Sequence, residues 1–427
     1  MLRQRLHNVR RLLGARFPVL RRWRHFLVWR VLRVVPRALT RLRSRACALH
    51  VDPYHVYWVS PHVMRYGIYR EIKGVPRTAL VSGVIKGGDW DRETDLVQDL
   101  DVVRGAKEHF VNGIEWEKTD YYTVYLEQIL KGNPLVGCCN KHEFDEHCAR
   151  WDRLFESIRN NGYKPQSEIH DPEYWASTAV EDEITVHISR DGHFLFCDGG
   201  HRLAIALALA IERIPVKVCI RHAQWQSFCM EILNYAKRNG GRIYHPLTHP
   251  DLRSIPSVHG DTRFDIIQNH LPRRRGKLLD IGAHWGYFCH RCEELGFDCY
   301  AVEVDPEAVY FMRKTKTAQD RKFRVIEQSI LTYREKCHFD VVLALNVFHH
   351  FLKQKADHEA LTRFLQQLDT DTMFFEPHHT SEAQMSGAYR NYEPDEFVQF
   401  LLHHSRLTHA DLIGKAEDGR PIYKLTR

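Results

Sequence analysis

The carboxyl-terminal part of the chain carries short apolar runs that each end in a polar residue. Leu278-Leu279 ends in Asp280 and a glycine turn, and residues 299–302 end in Glu303. Two later runs, 339–345 and 373–375, continue the pattern. Runs of this length, separated by segments of helical spacing, predict a parallel sheet of the α/β class. A turn at Asp418-Gly419 predicts that the last strands form an antiparallel hairpin.

The loop after the first run predicts a site for a nucleotide-type cofactor. Glycines let a ligand approach the backbone, and an acid after the second strand can accept both ribose hydroxyls. A dinucleotide fingerprint requires glycines at positions 282, 284 and 287, but the chain has Gly282, His284 and Tyr287. Without the missing glycines a pyrophosphate cannot sit tightly against the helix start, so the pattern argues against a dinucleotide.

The same loop resembles motif I of class I S-adenosylmethionine (SAM)-dependent methyltransferases, which reads Asp-x-Gly-x-x-x-Gly. Here the motif is Asp280, Gly282 and Gly286, with His284 where the family usually has a middle glycine. The order of the later strands fits the family over residues 262–427, and the resemblance implies a Rossmann-like sheet with SAM as cofactor. It implies that SAM is bound by Asp280, Gly282, Ala283, Gly286, Glu303, Ser329 and Asn346.

Roles for these residues also follow from the resemblance. Asp280 should lie near the amino group of SAM, Glu303 should hold the ribose, and Ser329 should contact the adenine. Asn346 and His349 should lie at the mouth of the site as catalytic residues, with His349 as general base. The alternative for His349 is that it merely opens a helix.

The middle of the chain contains a second glycine turn. Strand-like residues 194–197 lead into Asp198-Gly199-Gly200-His201-Arg202, a helix and a strand beginning Ile214-Pro215-Val216. This order resembles the ParB/sulfiredoxin superfamily, which implies an α+β domain over residues 51–235. The resemblance implies that nucleotide phosphates are bound by Asp198, Gly199, Gly200, His201 and Arg202, since backbone N–H groups and a forked cation suit anions.

The sequence of this turn, Asp198 to Arg202, most closely resembles the kinase-like branch of that superfamily. ATP with Mg²⁺ would then be a second cofactor, and Asp198 would be a catalytic base or a Mg²⁺ ligand. The alternative is a phosphate-sensing or structural module in which Asp198 and His201 only stabilise the turn.

Charge is distributed unevenly along the chain. Residues 1–50 hold 14 of the 61 Lys and Arg and no Asp or Glu, so the remainder carries 47 basic and 54 acidic side chains. The first 48 residues therefore predict a basic amphipathic helix that lies on an anionic membrane surface. A nucleic-acid-binding arm, a mitochondrial presequence and a passive tail are the alternatives.

The cysteines and histidines give weaker signals. Eleven cysteines without a pairing pattern, and no evident secretory signal, indicate free thiols in a reducing cytoplasm. The cluster from Cys138 to Cys148 matches no common zinc spacing, so no metal is predicted. Prolines in residues 236–261 predict a linker between the two domains.

These parts together predict a SAM-dependent methyltransferase peripheral to the cytoplasmic membrane face. The expected methyl acceptor is a glycan or lipid-linked cell-surface intermediate. The most specific form of this prediction is methyl phosphate capping, in which phosphorylation precedes methylation. The alternatives are an RNA or DNA methyltransferase that uses the arginine arm, with nucleic acid the less favoured partner, and a nucleotide-regulated scaffold with a vestigial methyltransferase.

Overall fold

A computed structural model describes residues 55–68, 72, 83–169, 183–333 and 337–427. The chain divides into two compact units. The first contains the described residues up to Ile188 together with Phe194–Gln226, and the second contains Ser189–His193 and Ser227–Arg427. The basic arm predicted over residues 1–48 lies outside the described residues. Within those residues, no helix is both long enough and apolar enough to cross a bilayer.

The first unit is a mixed sheet with helices. Its strands are β1 (Val56–Val59), β2 (Tyr66–Gly67), β3 (Val84–Lys86), β4 (Asp95–Leu96), β5 (Ile184–Ile188), β6 (Phe194–Asp198) and β7 (Ile214–His222), and its helices are α1 (Asp101–Ala106), α2 (Asp120–Leu130), α3 (Lys141–Asn161) and α4 (Gly200–Ala208). The strand order is β1-β7-β5-β6-β2-β4, with β3 also paired to β7. The α+β character agrees with the sequence, while the ParB/sulfiredoxin resemblance stays a prediction.

An aromatic cluster forms one core of this unit. Phe144, Cys148, Trp151, Phe155 and Ile158 recur every three or four residues along α3 and are all buried. The helix starts at Lys141 because the Asn140 side chain accepts a hydrogen bond from the Glu143 N–H (2.9 Å) and caps it. Cys148 therefore packs in the core.

The second unit is a seven-stranded sheet with helices. Its strands are β8 (Gly276–Ile281), β9 (Phe297–Glu303), β10 (Arg324–Glu327), β11 (Phe339–Leu345), β12 (Thr370–Glu376), β13 (His409–Lys415) and β14 (Pro421–Thr426); its helices are α6 (Thr262–His270), α7 (Tyr287–Glu294), α8 (Pro306–Ala318), α9 (Lys355–Gln367) and α10 (Pro394–His404). A further helix, α5 (Ala223–Arg238), contributes residues to both units.

The strand order in this sheet is β10-β9-β8-β11-β12-β14-β13. The first five strands are parallel, and β14 runs antiparallel to both of its neighbours. The apolar runs of the sequence became strands because both faces of the sheet are covered. Leu279 and Val342 pack into one core, whereas Leu278 and Val341 pack into another.

Residues 236–261, which the sequence predicted to be a linker, are folded into the second unit. α5 extends to Arg238, and Ile243 forms a parallel bridge with Ser257. Leu252 and Ile255 are buried. The prolines do interrupt helices, but the apolar side chains between them anchor the segment, and proline content alone could not show this.

Candidate functional site

The carboxyl ends of β8 and β11 mark the point where the sheet order reverses. From β8 the chain builds outward through β9 and β10, then returns to place β11 on the other side of β8. In open α/β sheets, ligands bind in the crevice at such a switch point. Three predicted segments meet this edge: the glycine loop after β8, Glu303 at the end of β9, and the residues from Asn346 after β11.

The backbone conformation of the loop after β8 requires glycine at two positions. Gly282 has φ +73°, and a Cβ added there would lie 2.7 Å from Cγ2 of Val347. Gly286 has φ +79°, and its Cβ would lie 3.0 Å from Cγ of Met312. His284 replaces the usual middle glycine, yet it also adopts a left-handed conformation (φ +51°). The loop therefore keeps the path that the motif implies, and both glycines lie where a side chain would press on a neighbour.

Glu303 is fixed at the edge of this loop. Its Oε2 accepts a hydrogen bond from the His284 N–H (2.8 Å), and its Oε1 accepts from the N–H groups of Val304 (2.7 Å) and Asp305 (2.9 Å). Because a carboxylate offers about four lone-pair positions, an acceptor position remains for a ligand hydroxyl. This donor set fits the ribose role that the resemblance implies.

Asp280 is a buried carboxyl at the end of β8. It is 3% exposed, and its Oδ2 lies 3.7 Å from Sγ of Cys289. Burial raises the pKa of Asp280 to about 7, because the charged form loses its hydration. A buried acid of this kind suits a ligand ammonium, which SAM carries on its methionine part.

We expect Asp280→Asn to stabilise the free protein at pH 8 and to weaken SAM binding. The folded-state pKa lies above the unfolded value, so ionisation of Asp280 lowers stability as pH rises toward 7. Removing the ionisable group should raise the free energy of unfolding by roughly 1–4 kcal/mol at pH 8 and change it little at pH 4. Urea unfolding at both pH values, with SAM titrated by calorimetry, measures the two effects. Equal stability changes at both pH values would contradict this account.

The segment after β11 supplies Asn346 and His349. The Asn346 N–H donates to the Glu376 carbonyl (2.8 Å), and the Asn346 Oδ1 is buried without a partner among the described residues. His349 is 3% exposed, and neither of its ring nitrogens has a partner in the described part of the chain. Burial lowers the pKa of His349 to about 3, so its imidazole is neutral. His349 lies in the short helix Phe348–Leu352, and its role as general base stays a prediction.

Ser329 follows β10 on the far side of β9. Its hydroxyl caps a short helical turn by accepting from the Leu331 N–H (3.3 Å). The adenine contact implied for Ser329 stays a prediction. Ala283 is buried, and its N–H donates to the Val302 carbonyl (3.0 Å), which joins the loop to β9 by a hydrogen bond.

Sequence reasoning missed an ion pair at the same edge. Arg263 on α6 donates through Nε (2.7 Å) and Nη2 (2.6 Å) to the two carboxylate oxygens of Glu376, at the end of β12. Asp418 and Arg420 extend this pair into a network. Arg263 and Glu376 are 113 positions apart, so no local pattern connects them.

The second glycine turn is organised by internal contacts. Arg202 is buried, and its guanidinium donates to Glu183 Oε2 (3.3 Å) and to the Lys164 carbonyl (2.7 Å). The His201 ring packs edge-on against Trp151. Asp198 Oδ1 accepts from the Gly199 N–H (2.7 Å). The predicted forked cation for a phosphate is therefore already paired.

The two glycines of this turn have packing reasons. A Cβ at Gly199 would lie 3.0 Å from the backbone of Ile184, and one at Gly200 would lie 3.0 Å from Cγ2 of Val102. Close approach of α4 to β5 and α1 explains both glycines without a ligand. Phosphate binding by Asp198, Gly199, Gly200, His201 and Arg202 stays a prediction that these contacts do not favour.

Arg202→Met should therefore act on stability. We expect the free energy of unfolding to fall by about 1–3 kcal/mol, because Glu183 would remain buried without its partner. Arg153→Met, on α3 away from this pair, is the control, and urea unfolding is the measurement. An unchanged stability together with a loss of ATP binding would instead favour the phosphate role.

Histidine and carboxylate side chains come close enough to share an ion at one place among the described residues: His338, Asp340 and Asp371. Arg273 pairs with both aspartates there (2.9 and 3.4 Å), so their charge is already balanced. The group lies at the amino ends of β11 and β12, away from the glycine loop.

Comparisons with known proteins agree with this geometry. Residues 279–374 match the profile of a protein family described as a methyltransferase domain. A search of curated proteins found no significant match. Among solved structures, that of monomeric WbdD is similar over 45% of this chain and 48% of its own, with 20% identity and a TM-score of 0.38.

Two further structures are similar over a smaller share of the chain. A putative SAM-dependent methyltransferase from Listeria monocytogenes has 12% identity and a TM-score of 0.31, over 38% of this chain and 97% of that chain. Magnesium protoporphyrin IX methyltransferase (ChlM) from Synechocystis, with bound SAM, has 12% identity and a TM-score of 0.30, over 39% and 75%. The match to WbdD spans about half of that protein's length.

The family match and the strand order together define the class. The second unit contains a methyltransferase domain, matched over residues 279–374, on a Rossmann-like sheet. The SAM-binding residues that the sequence motif implied lie on its carboxyl edge, at Asp280, Gly282, Gly286 and Glu303.

Proposed function

We propose that this chain binds SAM at the switch point of the second unit and transfers its methyl group to an acceptor at the mouth of that site. The observation that carries the proposal is the glycine loop, which holds left-handed backbone at Gly282 and Gly286 beside the fixed carboxylate of Glu303. Asp280 would face the ammonium of SAM, and Glu303 would accept from its ribose. The bound cofactor supplies an electrophilic methyl group, and the protein orients the nucleophile.

The acceptor that we propose is a glycan or a lipid-linked intermediate at a membrane surface. Support comes from the first 50 residues, which are rich in arginine and free of acids, whereas the rest of the chain has more acidic than basic side chains. Such an arm would hold the enzyme at an anionic surface, where lipid-linked substrates are presented.

Methyl transfer alone is the reaction that we propose. Methyl phosphate capping would add a phosphotransfer step that needs Asp198 and Arg202 at a nucleotide site. Because Arg202 is buried against Glu183, the described geometry gives no support to ATP with Mg²⁺ as a second cofactor.

The test uses the full chain with SAM labelled in its methyl group. The purified protein is incubated separately with a membrane glycolipid fraction and with total RNA, and SAM binding is measured by calorimetry. We expect label in the glycolipid fraction. Label confined to RNA would establish the nucleic-acid alternative, and absence of SAM binding would indicate a scaffold with a vestigial domain.

Glu303→Ala is the matched site variant for this test. A hydrogen bond to a charged group contributes about 1.5–3 kcal/mol, so SAM affinity should fall roughly 10- to 100-fold. Glu307→Ala, on the exposed first turn of α8, is the control and should bind SAM as the parent does.

A further inference from the structure

Two buried histidines lie side by side at the mouth of the proposed site. His349 follows β11 and His378 follows β12, and their ring centroids are 5.5 Å apart. The two strands are parallel neighbours, with Leu345 paired to Glu376. Val347 on the same segment lies against Gly282 of the cofactor loop. His349 is therefore two positions along the chain from a residue that packs against the loop that would hold SAM.

The hydrogen bonds of Asn391 determine the tautomer of His378. The Asn391 Nδ2 donates to the Thr380 carbonyl (2.9 Å), so its Oδ1 is the atom that faces the ring. The Nε2 of His378 lies 2.8 Å from this oxygen and must donate to it. In the neutral ring, Nδ1 then carries a lone pair.

No described residue donates a hydrogen bond to Nδ1 of His378. The His378 side chain is 1% exposed, and its Nδ1 is buried with no hydrogen-bond partner in the described residues. His349 adds two more buried nitrogens in the same condition, one a donor and one an acceptor in the neutral ring. An unpaired buried polar group destabilises the folded protein, so the pair suits a ligand that both donates and accepts.

The two arginines at this edge are already paired with acids, whereas Lys353, whose charge helps to lower the pKa of His349, donates to the neutral Gln384 Oε1 (3.2 Å). Arg263 is paired with Glu376, and Arg420 is paired with Asp418 (2.7 Å) and Glu382 (2.8 Å). A phosphate group carries close to two negative charges at neutral pH and is recognised by available cations. A hydroxyl is neutral and offers one proton and two lone pairs, so it can donate to His378 Nδ1 and accept from the protonated nitrogen of His349.

We propose that His378 is the proton acceptor for a hydroxyl-bearing methyl acceptor, with Asn391 as its positioning residue and His349 as a second hydrogen-bonding partner. This inference rests on the proposed function. In the step, the O–H bond breaks and its proton passes to Nδ1 of His378. The acceptor oxygen forms a bond to the methyl carbon, and the carbon–sulfur bond breaks with its electron pair left on sulfur. The products are a methyl ether and a neutral thioether, and the positive charge moves from the sulfonium to the imidazolium.

The first experiment is nitrogen NMR of the full chain, with the histidine rings labelled. His378 is assigned by the signal lost in His378→Gln. We expect the neutral ring to carry its proton on Nε2 and not on Nδ1, and the same tautomer in Asn391→Asp, whose carboxylate still accepts from Nε2. Asn391→Leu should lose the single-tautomer signature. A protonated Nδ1 in the parent protein would overturn the assignment.

The second experiment adds probes in the presence of S-adenosylhomocysteine. Methyl α-D-glucopyranoside should shift the Nδ1 signal of His378, and inorganic phosphate at equal concentration should not. No shift with the sugar, or an equal shift with phosphate, would refute a hydroxyl acceptor. Calorimetry with S-adenosylhomocysteine separates the failure of the proposed SAM site from the failure of the role proposed for His378. Absence of binding would disprove the SAM site, whereas the tautomer of His378 is measured independently of it.

Methyl transfer to the glycolipid fraction gives the third readout. His378→Gln should lower the rate about 100-fold or more, as expected for loss of a general base, with unchanged SAM affinity. His379→Gln is the matched control, since His379 is the exposed neighbour in the chain. Aqueous hydrofluoric acid, which cleaves phosphate esters and so can detach a glycan from its lipid, should leave the label bound to the sugar. Loss of the label from the sugar, or full activity of His378→Gln, would contradict the proposal.

Discussion

Replacing Gly282 with alanine should lower SAM affinity by about 10- to 100-fold, the largest effect that we expect from a single methyl group. The added Cβ would lie 2.7 Å from Cγ2 of Val347, closer than a packed contact allows. Either the loop or the segment after β11 must move. Strain of this kind costs about 1–3 kcal/mol, and each 1.4 kcal/mol is a tenfold change in affinity.

A control for the backbone strain is available in the same unit. Gly387 has the same φ of +73°, but no atom lies within 4 Å of its added Cβ. Gly387→Ala should therefore lose the same stability, about 1–2 kcal/mol, from placing alanine in a left-handed backbone conformation, without disturbing the loop after β8. Calorimetric titration of SAM into both variants decides the matter. Equal affinities would remove Gly282 from the site, even if both variants lost stability.

Arg263→Met should destabilise the second unit by about 3–5 kcal/mol. Arg263 and Glu376 are 2% and 0% exposed, and their contact is bidentate. Removing the arginine leaves the buried carboxylate only the more distant Arg420 (3.8 Å), which is shared with Asp418 and Glu382, and taking one partner from a buried pair is the costly way to break it. For a unit of this size, the midpoint of thermal unfolding should fall by roughly 6–20 °C.

The pH dependence of this variant has a definite sign. Burial raises the pKa of Glu376, against the opposing effect of Arg263. Without Arg263 the pKa rises further, so the folded state binds a proton that the unfolded chain releases at neutral pH. Stability is then lost as pH rises, and the variant should be closer to the parent at pH 5 than at pH 8.

Two further variants test whether the cost comes from the unpaired charge. Arg263→Met combined with Glu376→Leu should recover most of the lost stability, because an apolar pair can replace a buried ion pair. Arg313→Met breaks an exposed pair with Glu327 and should cost no more than about 1 kcal/mol. A double variant as unstable as the single one would point to lost packing instead.

Much of the second unit could be predicted from sequence because its signals are local. The apolar runs that became β8, β9, β11 and β12 are each continuous in the chain. The motif from Asp280 to Gly286 is one turn, and its glycines are required by the backbone of that turn. Cys289 and Cys292, three apart on α7, are both buried, as one face of a helix at that spacing would place them.

The contacts that the sequence could not reveal join distant positions. His378 showed only a weak histidine signal, and its chemistry depends on Asn391 and on the ring of His349. The Arg202 turn had the right residues for a phosphate, but burial against Glu183, 19 positions earlier, gives the arginine another partner.

The sequence by itself determined the class of the second unit, because a parallel sheet and a SAM loop are both encoded in runs of a few residues. It also determined that a basic amino-terminal segment precedes a chain with more acidic than basic side chains, since charges can be counted without knowing the fold. Only the tertiary structure decided which charged groups remain available. Burial pairs Arg263 and Arg202 with carboxylates and leaves the nitrogens of His349 and His378 unpaired, because partners and solvent exposure depend on segments that the fold brings together.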